Sequence, residues 1–431
     1  MRRYLMITPY FPPLAQSGAK RGLYLARHME AHGWQPVVLA APPLEHEIDE
    51  RLVRAVPDST PVHRRYAGPL RAARAELRRS SRRAPARPPG PLTRWARRRA
   101  AGLGLTIYFT PFDRYLWDVP WATLAGARLV RRYGAEAIHV SSDPFTACYT
   151  GVAVKALTGR PLVLDFRDPW ALHDGKMALR PRPTAWMVHR LERFCIRHAD
   201  RVILNTEAAA ARYRAHYRGV FPEERFAAIR NSVDPALFEA VAPEPVDRFT
   251  LLYFGTTRRF VHLDELLAGL ARFVERDRLA PDQVQLLLLG EMDADDLAVA
   301  ERLGVRDYIH LRPPVPLAQS MRYLRAADLL VLVIQESCVL QIPGKLYDYL
   351  AAGRPILAVS ANEEVNRLLA ESGAGVGVPG RDPGRIAEAL SRAYARRDAP
   401  LDAEEIERRV RPFTAHVMAE RLAAELDAVA R

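Results

Sequence analysis

The chain has 431 residues, of which 49% are hydrophobic and 26% charged, and a formal net charge of +13. This is the composition of a soluble globular protein, at a length that calls for two domains rather than one core. It argues against a membrane-spanning protein, because runs such as residues 286–289 and 329–334 fall far short of the ~20 apolar residues a membrane helix needs.

The first residues are basic and then apolar, and Pro9 ends the apolar part before it reaches signal-peptide length. They predict a strand over residues 4–8 and a cytoplasmic protein. A loop with Pro9, Pro12, Pro13 and Gly18 follows, then a helix over 22–31 and a strand over 36–40. Residues 68–104 form an insertion with eleven arginines and one acid, Glu76, a local +10 that leaves the rest of the chain nearly neutral. Three readings stand for it. It is a solvated loop, a contact for an anionic membrane surface (Leu92, Trp95, Leu103 and Leu105 intersperse its arginines), or a nucleic-acid contact. The last is not expected, since no recognition motif accompanies the charge.

Beyond the insertion, helical and strand patterns alternate. A helix over 121–133 leads to a strand over 137–141, a helix over 146–158 to a strand over 161–166, and a helix over 185–198 to a strand over 201–205. A second series starts after residues 239–248. Strands are predicted over 249–254, 283–289, 308–311, 329–334 and 356–359, with helices over 263–276, 295–303 and 317–326 and an amphipathic stretch over 413–430. Alternation of this kind predicts an α/β fold of doubly wound parallel sheets, in which ligands bind at the carboxyl ends of the strands. The three cysteines, Cys148, Cys195 and Cys338, share no metal-like spacing and read as reduced, mostly buried thiols.

The stretch from Pro343 to Pro355 carries the most chemistry. A Pro-Gly turn opens a short helix, Lys345 lies in its first turn, and Asp348 follows on the same face. Helix-start amides and an ammonium favour a phosphate, and the carboxylate accepts from sugar hydroxyls. The alternative is an ordinary helix start with a surface Lys–Asp pair. Only four of the 63 basic residues are lysine, namely Lys20, Lys155, Lys176 and Lys345. A lysine in so arginine-rich a chain marks a place where a compact point charge is wanted.

Four stretches together resemble the GT-B glycosyltransferases, in particular the large retaining group known as family 4 and its bacterial polysaccharide and lipid-glycan branch. They are Thr8-Pro9-Tyr10-Phe11-Pro12-Pro13 with Gly18-Ala19-Lys20-Arg21, Asp165-Phe166-Arg167-Asp168-Pro169-Trp170, Ile229-Arg230-Asn231-Ser232-Val233-Asp234 with Phe238, and the stretch from Pro343. The resemblance covers nearly the whole chain apart from the arginine-rich insertion. It implies two Rossmann-like domains facing a cleft: residues 1–238 for the acceptor, a linker over 239–248, residues 249–411 for the nucleotide-sugar donor, and a helix over 412–431 packing back on the first domain.

The same resemblance implies roles. Asp348 matches the acid that binds ribose, and Gly344 and Lys345 match the turn that meets the diphosphate. Gly255 to Arg259 matches a glycine loop that supplies cations to those phosphates. Arg258 and Arg259 are both candidates, while the family's usual loop lysine falls near Val261 or His262. Gly18 belongs to a loop that closes over donor phosphates and acceptor, with Lys20 and Arg21 toward the acceptor. The glutamate the family often places eight residues before the ribose acid is Leu340 here, and Glu336 either replaces it or is a bystander. Asp143 matches a catalytic-loop position, where it orients the acceptor or steadies the sugar cation; otherwise it caps the helix that starts at Thr146. Arg167 and Asp168 follow the next strand toward the same site, Asp165 is structural, and His139 is a packed core residue.

Glycosyl transfer needs a nucleoside diphosphate to leave, and fixed cations and amides can stabilise that charge without a metal. The run from Asp293 to Asp296 offers a metal-binding reading, but at a helix start it reads as a capping cluster. The expectation is a retaining, metal-independent transferase with no cofactor, using a UDP- or GDP-type sugar donor and a glycan, lipid-linked or small-molecule acceptor. It would be cytoplasmic, with peripheral contact to the inner membrane face through residues 68–104. Two rivals remain: a catalytically silent nucleotide-sugar-binding protein, and a GT-B epimerase acting on UDP-GlcNAc.

Overall fold

The computed structural model describes residues 1–14, 17–43, 48–69, 71, 110–237, 241–257, 262–315, 317–335, 338–397 and 402–430. The chain divides into two compact units, Met1–Arg230 with Met418–Arg431, and Asn231–Val417. Each unit is built on one parallel sheet, as the sequence predicts.

In the first unit the strands are β1 (Arg2–Ile7), β2 (Trp34–Leu39), β3 (Val62–His63), β4 (Ala137–Ser142), β5 (Leu162–Phe166), β6 (Arg201–Leu204) and β7 (Phe226–Ala228), in the order β3-β2-β1-β4-β5-β6-β7. The helices Ser17–His28, Val119–Tyr133, Thr146–Thr158, Arg182–His198 and Glu207–His216 lie between them. The helix Ala415–Val429 returns to this sheet through Asp427, which accepts from Arg2 at 2.7 Å and from the Trp34 indole at 3.1 Å, and through Glu425, which pairs with Arg201 at 2.8 Å.

In the second unit β8 (Phe249–Phe254), β9 (Val284–Leu289), β10 (Ile309–Arg312), β11 (Leu329–Ile334), β12 (Ile356–Ser360) and β13 (Gly375–Val378) take the order β10-β9-β8-β11-β12-β13. β11 shows why its sequence is an unbroken apolar run. Leu329, Val331 and Val333 pack into one core layer, while Leu330, Leu332 and Ile334 pack into the layer on the other face. A strand alternates its side chains, so a central parallel strand covered on both faces must be apolar at every position. Each such side chain contributes ~1.5–3 kcal/mol on burial.

The helix Lys345–Ala352 follows β11 and ends at Gly353, whose φ of 75° lies in the left-handed region that a side chain resists. The chain then turns straight into β12. No helix among the described residues is long and apolar enough to cross a membrane.

Candidate functional site

Both sheets reverse their strand order at one point, between β1 and β4 in the first unit and between β8 and β11 in the second. Connections run in opposite directions from such a point and leave a crevice at the strand carboxyl ends, where α/β proteins bind ligands. Of the motifs singled out from the sequence, the stretches after β1, β5 and β11 lie at or beside these two places, while Ile229 to Asp234 follows the edge strand β7.

In the second unit, the Lys345 ammonium lies 4.3 Å from the centroid of the Tyr253 ring, at the end of β8. Gly255 follows with a φ of 143°, a conformation suited to glycine, and a Cβ there would stand 3.6 Å from the Lys345 Nζ. The backbone of this loop and the first turn of the Lys345–Ala352 helix therefore meet. Tyr349 fixes the junction. Its hydroxyl accepts from the Phe254 N–H at 2.9 Å and donates to the Val331 carbonyl at 3.1 Å.

The Leu346 and Tyr347 amides bond back to the Pro343 and Gly344 carbonyls, whereas those of Gly344 and Lys345 have no acceptor among the described residues. No described carboxylate pairs with Lys345. Part of the residue still meets solvent, yet burial of the ammonium pushes its pKa down to about 8. Asp348, one turn on, is buried at 3% exposure.

Thr257 ties the glycine loop to the next connection, since its hydroxyl accepts from the Asp293 amide at 2.6 Å. The acidic run behaves as a cap: Asp293 accepts from the Asp295 amide, and the buried Asp296 accepts from the Leu263 amide at 2.9 Å. Arg258, Arg259 and Glu336 lie outside the described residues.

In the first unit, the connections after β1, β4 and β5 converge on Arg167. Its guanidinium donates to the Ser142 carbonyl at 2.9 Å and to the Asp143 carbonyl at 3.1 Å. A Cβ on Gly18 would come within 2.5 Å of that guanidinium, so glycine leaves room for the arginine to reach the β4 end. Asp143 stands partly exposed beside it. Asp168 is half-exposed, with Lys176 at 3.9 Å. Lys20 sits on the Ser17–His28 helix, partly exposed.

Arg21 on the same helix points inward. It pairs with Asp165 at 2.6 Å and donates to the Arg230 and Ile229 carbonyls. His139, fully buried, bonds the same Asp165 oxygen at 3.2 Å. Burial alone would raise the Asp165 pKa, but the Arg21 charge and the His139 bond hold it below the usual carboxylate range.

Two acids that the sequence reading passed over, the partly exposed Asp113 and the buried Glu192, support this region. The helix that starts at Thr146 takes its capping oxygen from Asp113 and not from Asp143: Asp113 accepts from the Thr146 amide at 2.9 Å and from its hydroxyl. The capping alternative for Asp143 is thereby corrected: a residue 33 positions upstream already takes the Thr146 amide and hydroxyl. Burial raises the Asp113 pKa against the pull of those bonds.

Glu192 is fully buried and accepts from the Ala171 amide at 2.7 Å and from the Tyr213 and Tyr217 hydroxyls at 2.6 and 2.8 Å. Burial pushes its pKa up to about 7. Tyr213 also accepts from the Trp170 amide, and Trp170 stacks on Phe145 at 4.7 Å. The segment carrying Arg167 and Asp168 is thus moored at its far end. No short motif marks Asp113 or Glu192, because their partners come from distant segments.

Comparison with known proteins bears on the family and the fold. The model of Glycosyltransferase Family 4 matches residues 83–237, and that of Glycosyl transferases group 1 matches residues 248–396. Curated relatives include the D-inositol 3-phosphate glycosyltransferase of Thermobifida fusca (strain YX), 26% identical over 209 residues, which are 45% of this chain and 47% of the relative. That of Streptomyces bingchenggensis (strain BCW-1) is 28% identical over 236 residues, 50% of this chain and 49% of the relative. The chain spans about half the length of the curated relatives it matches.

Among solved structures, sucrose-phosphate synthase (tll1590) from Thermosynechococcus elongatus superposes with a TM-score of 0.66 at 17% identity, covering 99% of both chains. Anabaena Alr3699/HepE in complex with UDP-glucose gives 0.60 at 14% identity, covering 99% of this chain and 100% of that one. At such identities the likeness is one of fold. The two family matches together span well over half of the sequence, and the chain belongs to the family 4-like glycosyltransferases of GT-B fold.

Proposed function

We propose that the chain transfers a sugar, with retention and without a metal ion, from a nucleoside diphosphate-sugar to a glycan, lipid-linked or small-molecule acceptor. The observation that carries this reading is Lys345. Its ammonium stands at the strand-order reversal of the second unit, over an aromatic ring, with its pKa lowered to about 8 and no described carboxylate to neutralise it. A cation kept in that condition favours an anionic guest, and the unused amides of Gly344 and Lys345 add donors for phosphate oxygens. Asp348, one turn along, is the acid for the ribose hydroxyls. Arg258 and Arg259 extend from the same glycine loop in sequence, and Glu336 is the candidate for the sugar hydroxyls that Leu340 cannot serve.

As the glycosidic bond breaks, negative charge grows on the leaving diphosphate. Lys345 and the helix-start amides are aimed at that charge before the reaction begins, which lowers the barrier without reorganisation. In the first unit, Asp143 and Asp168 are the carboxylates available to orient the acceptor hydroxyl, with Arg167 holding the Asp143 backbone in place and Lys20 toward the acceptor. Arg21 serves this loop through its hold on Asp165. A UDP- or GDP-type donor is in keeping with the neighbour solved with UDP-glucose. A lipid-linked acceptor would suit contact between residues 68–104 and the inner membrane face.

The test is turnover of the intact chain against UDP-, GDP-, ADP- and dTDP-sugars, with and without EDTA, reading the anomeric configuration of the product by NMR. Transfer or slow donor hydrolysis that persists in EDTA and keeps the donor's anomeric configuration supports the reading. Nucleotide binding with no turnover for any donor would leave a silent binding protein, and loss of activity in EDTA would remove metal independence.

A further inference from the structure

The outer face of the helix Arg182–His198 takes no part in the site described above. At about 100° per residue, Arg182, Trp186, Arg190, Arg193, Phe194 and Arg197 fall within an arc of about 120°. All six are exposed, Trp186 at 61% and Phe194 at 47%. The opposite side of the helix buries Thr184, Val188, Glu192, Cys195 and Ile196. Glu192 is the only acid in the helix, and it points inward to its tyrosines. None of the four arginines has a carboxylate partner among the described residues. The Arg190 guanidinium stands 5.1 Å from the centroid of the Trp186 ring.

A stable interface with another protein would bury apolar groups and deplete unpaired charge at its centre. This face does the reverse, running cations along the middle of the stripe with large aromatic rings among them. It also lies along a single helix, whereas a nucleic-acid backbone is tracked by a groove. Cations and aromatic rings on one side of a straight helix match the interface of an anionic bilayer. There, guanidinium groups meet headgroup phosphates, and indole and phenyl rings enter the layer beneath.

We propose that this helix face docks the first unit onto an anionic lipid bilayer. The proposal rests neither on the transferase reading nor on the arginines of residues 72–109.

The experiment is co-sedimentation of the full chain with vesicles of phosphatidylglycerol and phosphatidylcholine, and with vesicles of phosphatidylcholine alone. Binding is expected to the first only, and to weaken with added salt. Arg190→Gln with Arg197→Gln should lower the partition coefficient roughly 25-fold, at about fivefold per charge. Trp186→Ser with Phe194→Ser should lower it about tenfold or more. Both pairs are exposed, so circular dichroism and nucleoside diphosphate binding should be unchanged. That separates failure of the docking surface from failure of the donor site. The proposal is overturned if the chain ignores anionic vesicles, or if both variant pairs sediment as the parent does. It is also overturned if only glutamine replacement of the arginines within 72–109 abolishes binding. Tighter binding to single-stranded RNA through the same six residues would assign the face to nucleic acid instead.

Discussion

An ammonium stripped of water costs free energy unless an anion replaces the lost hydration. Lys345 is such a group, with a pKa of about 8 where an ordinary lysine has 10.5. Between those values the unfolded chain holds a proton that the folded protein has released, so this group makes stability rise with pH across that window. A bound diphosphate reverses the shift, because it favours the charged form. On the proposed reading, nucleoside diphosphate binding above about pH 8 takes up a proton, and affinity falls as pH rises further. Calorimetric titration at about pH 9, in buffers of different ionisation enthalpy, is expected to show uptake approaching one proton. Lys345→Arg should show none, since arginine stays charged. Equal heats in all buffers for the unaltered chain would mean that Lys345 does not meet the ligand. The scarcity of lysine in the sequence made this residue legible. Its environment was not, since Tyr253 and Gly255 reach it only through the pairing of β8 with β11.

At the scale of elements, the Ser17–His28 helix is fastened to β5 and β4 by a buried cluster. Arg21 meets Asp165 at 2.6 Å, His139 bonds the same oxygen, and the other Asp165 oxygen is buried without a partner. Removing one member of such a pair leaves an uncompensated charge, whereas replacing both with apolar groups of similar volume costs far less. Arg21→Met is expected to destabilise the protein by about 3–5 kcal/mol, and Asp165→Leu by a similar amount. The double variant should recover most of that loss, as read by chemical denaturation. Additive losses would show that the two groups are not coupled in this way.

The same scale shows what a sequence discloses. β8 and β11 are covered on both faces, and β11 is apolar at every position and β8 at all but Thr250, so their apolar runs predict them end to end. β3, β7 and β13 escape that reading. They have two to four residues each and, apart from Phe226 and Val378, half-buried or exposed positions, so no apolar run marks them. The helix Glu207–His216 escapes because its run of alanines gives almost no polar–apolar contrast. Lys345, Asp348 and Arg167 stood out by motif, while Asp113 and Glu192 act on segments far away in sequence and left no local sign.

Across the whole molecule, one architectural device recurs. Each unit is a doubly wound parallel sheet, and in each the residues read as functional stand where the strand order reverses. The two ends differ in charge. Among the described residues, the second unit holds an ammonium with no carboxylate partner beside amides with no acceptor, which suits a diphosphate. The first holds Asp143 and Asp168, carboxylates that suit a hydroxyl-bearing acceptor. On the proposed reading that division gives donor and acceptor to different units, and Lys345 is where it can be tested most directly. Titrate the intact chain and its Lys345→Ala and Asp348→Ala variants with UDP and GDP at neutral pH. The account predicts binding of at least one of the two by the intact chain, weakened tenfold or more by each substitution, at about 1.4 kcal/mol or more for a lost charge-assisted contact. Undiminished affinity in both variants would contradict it.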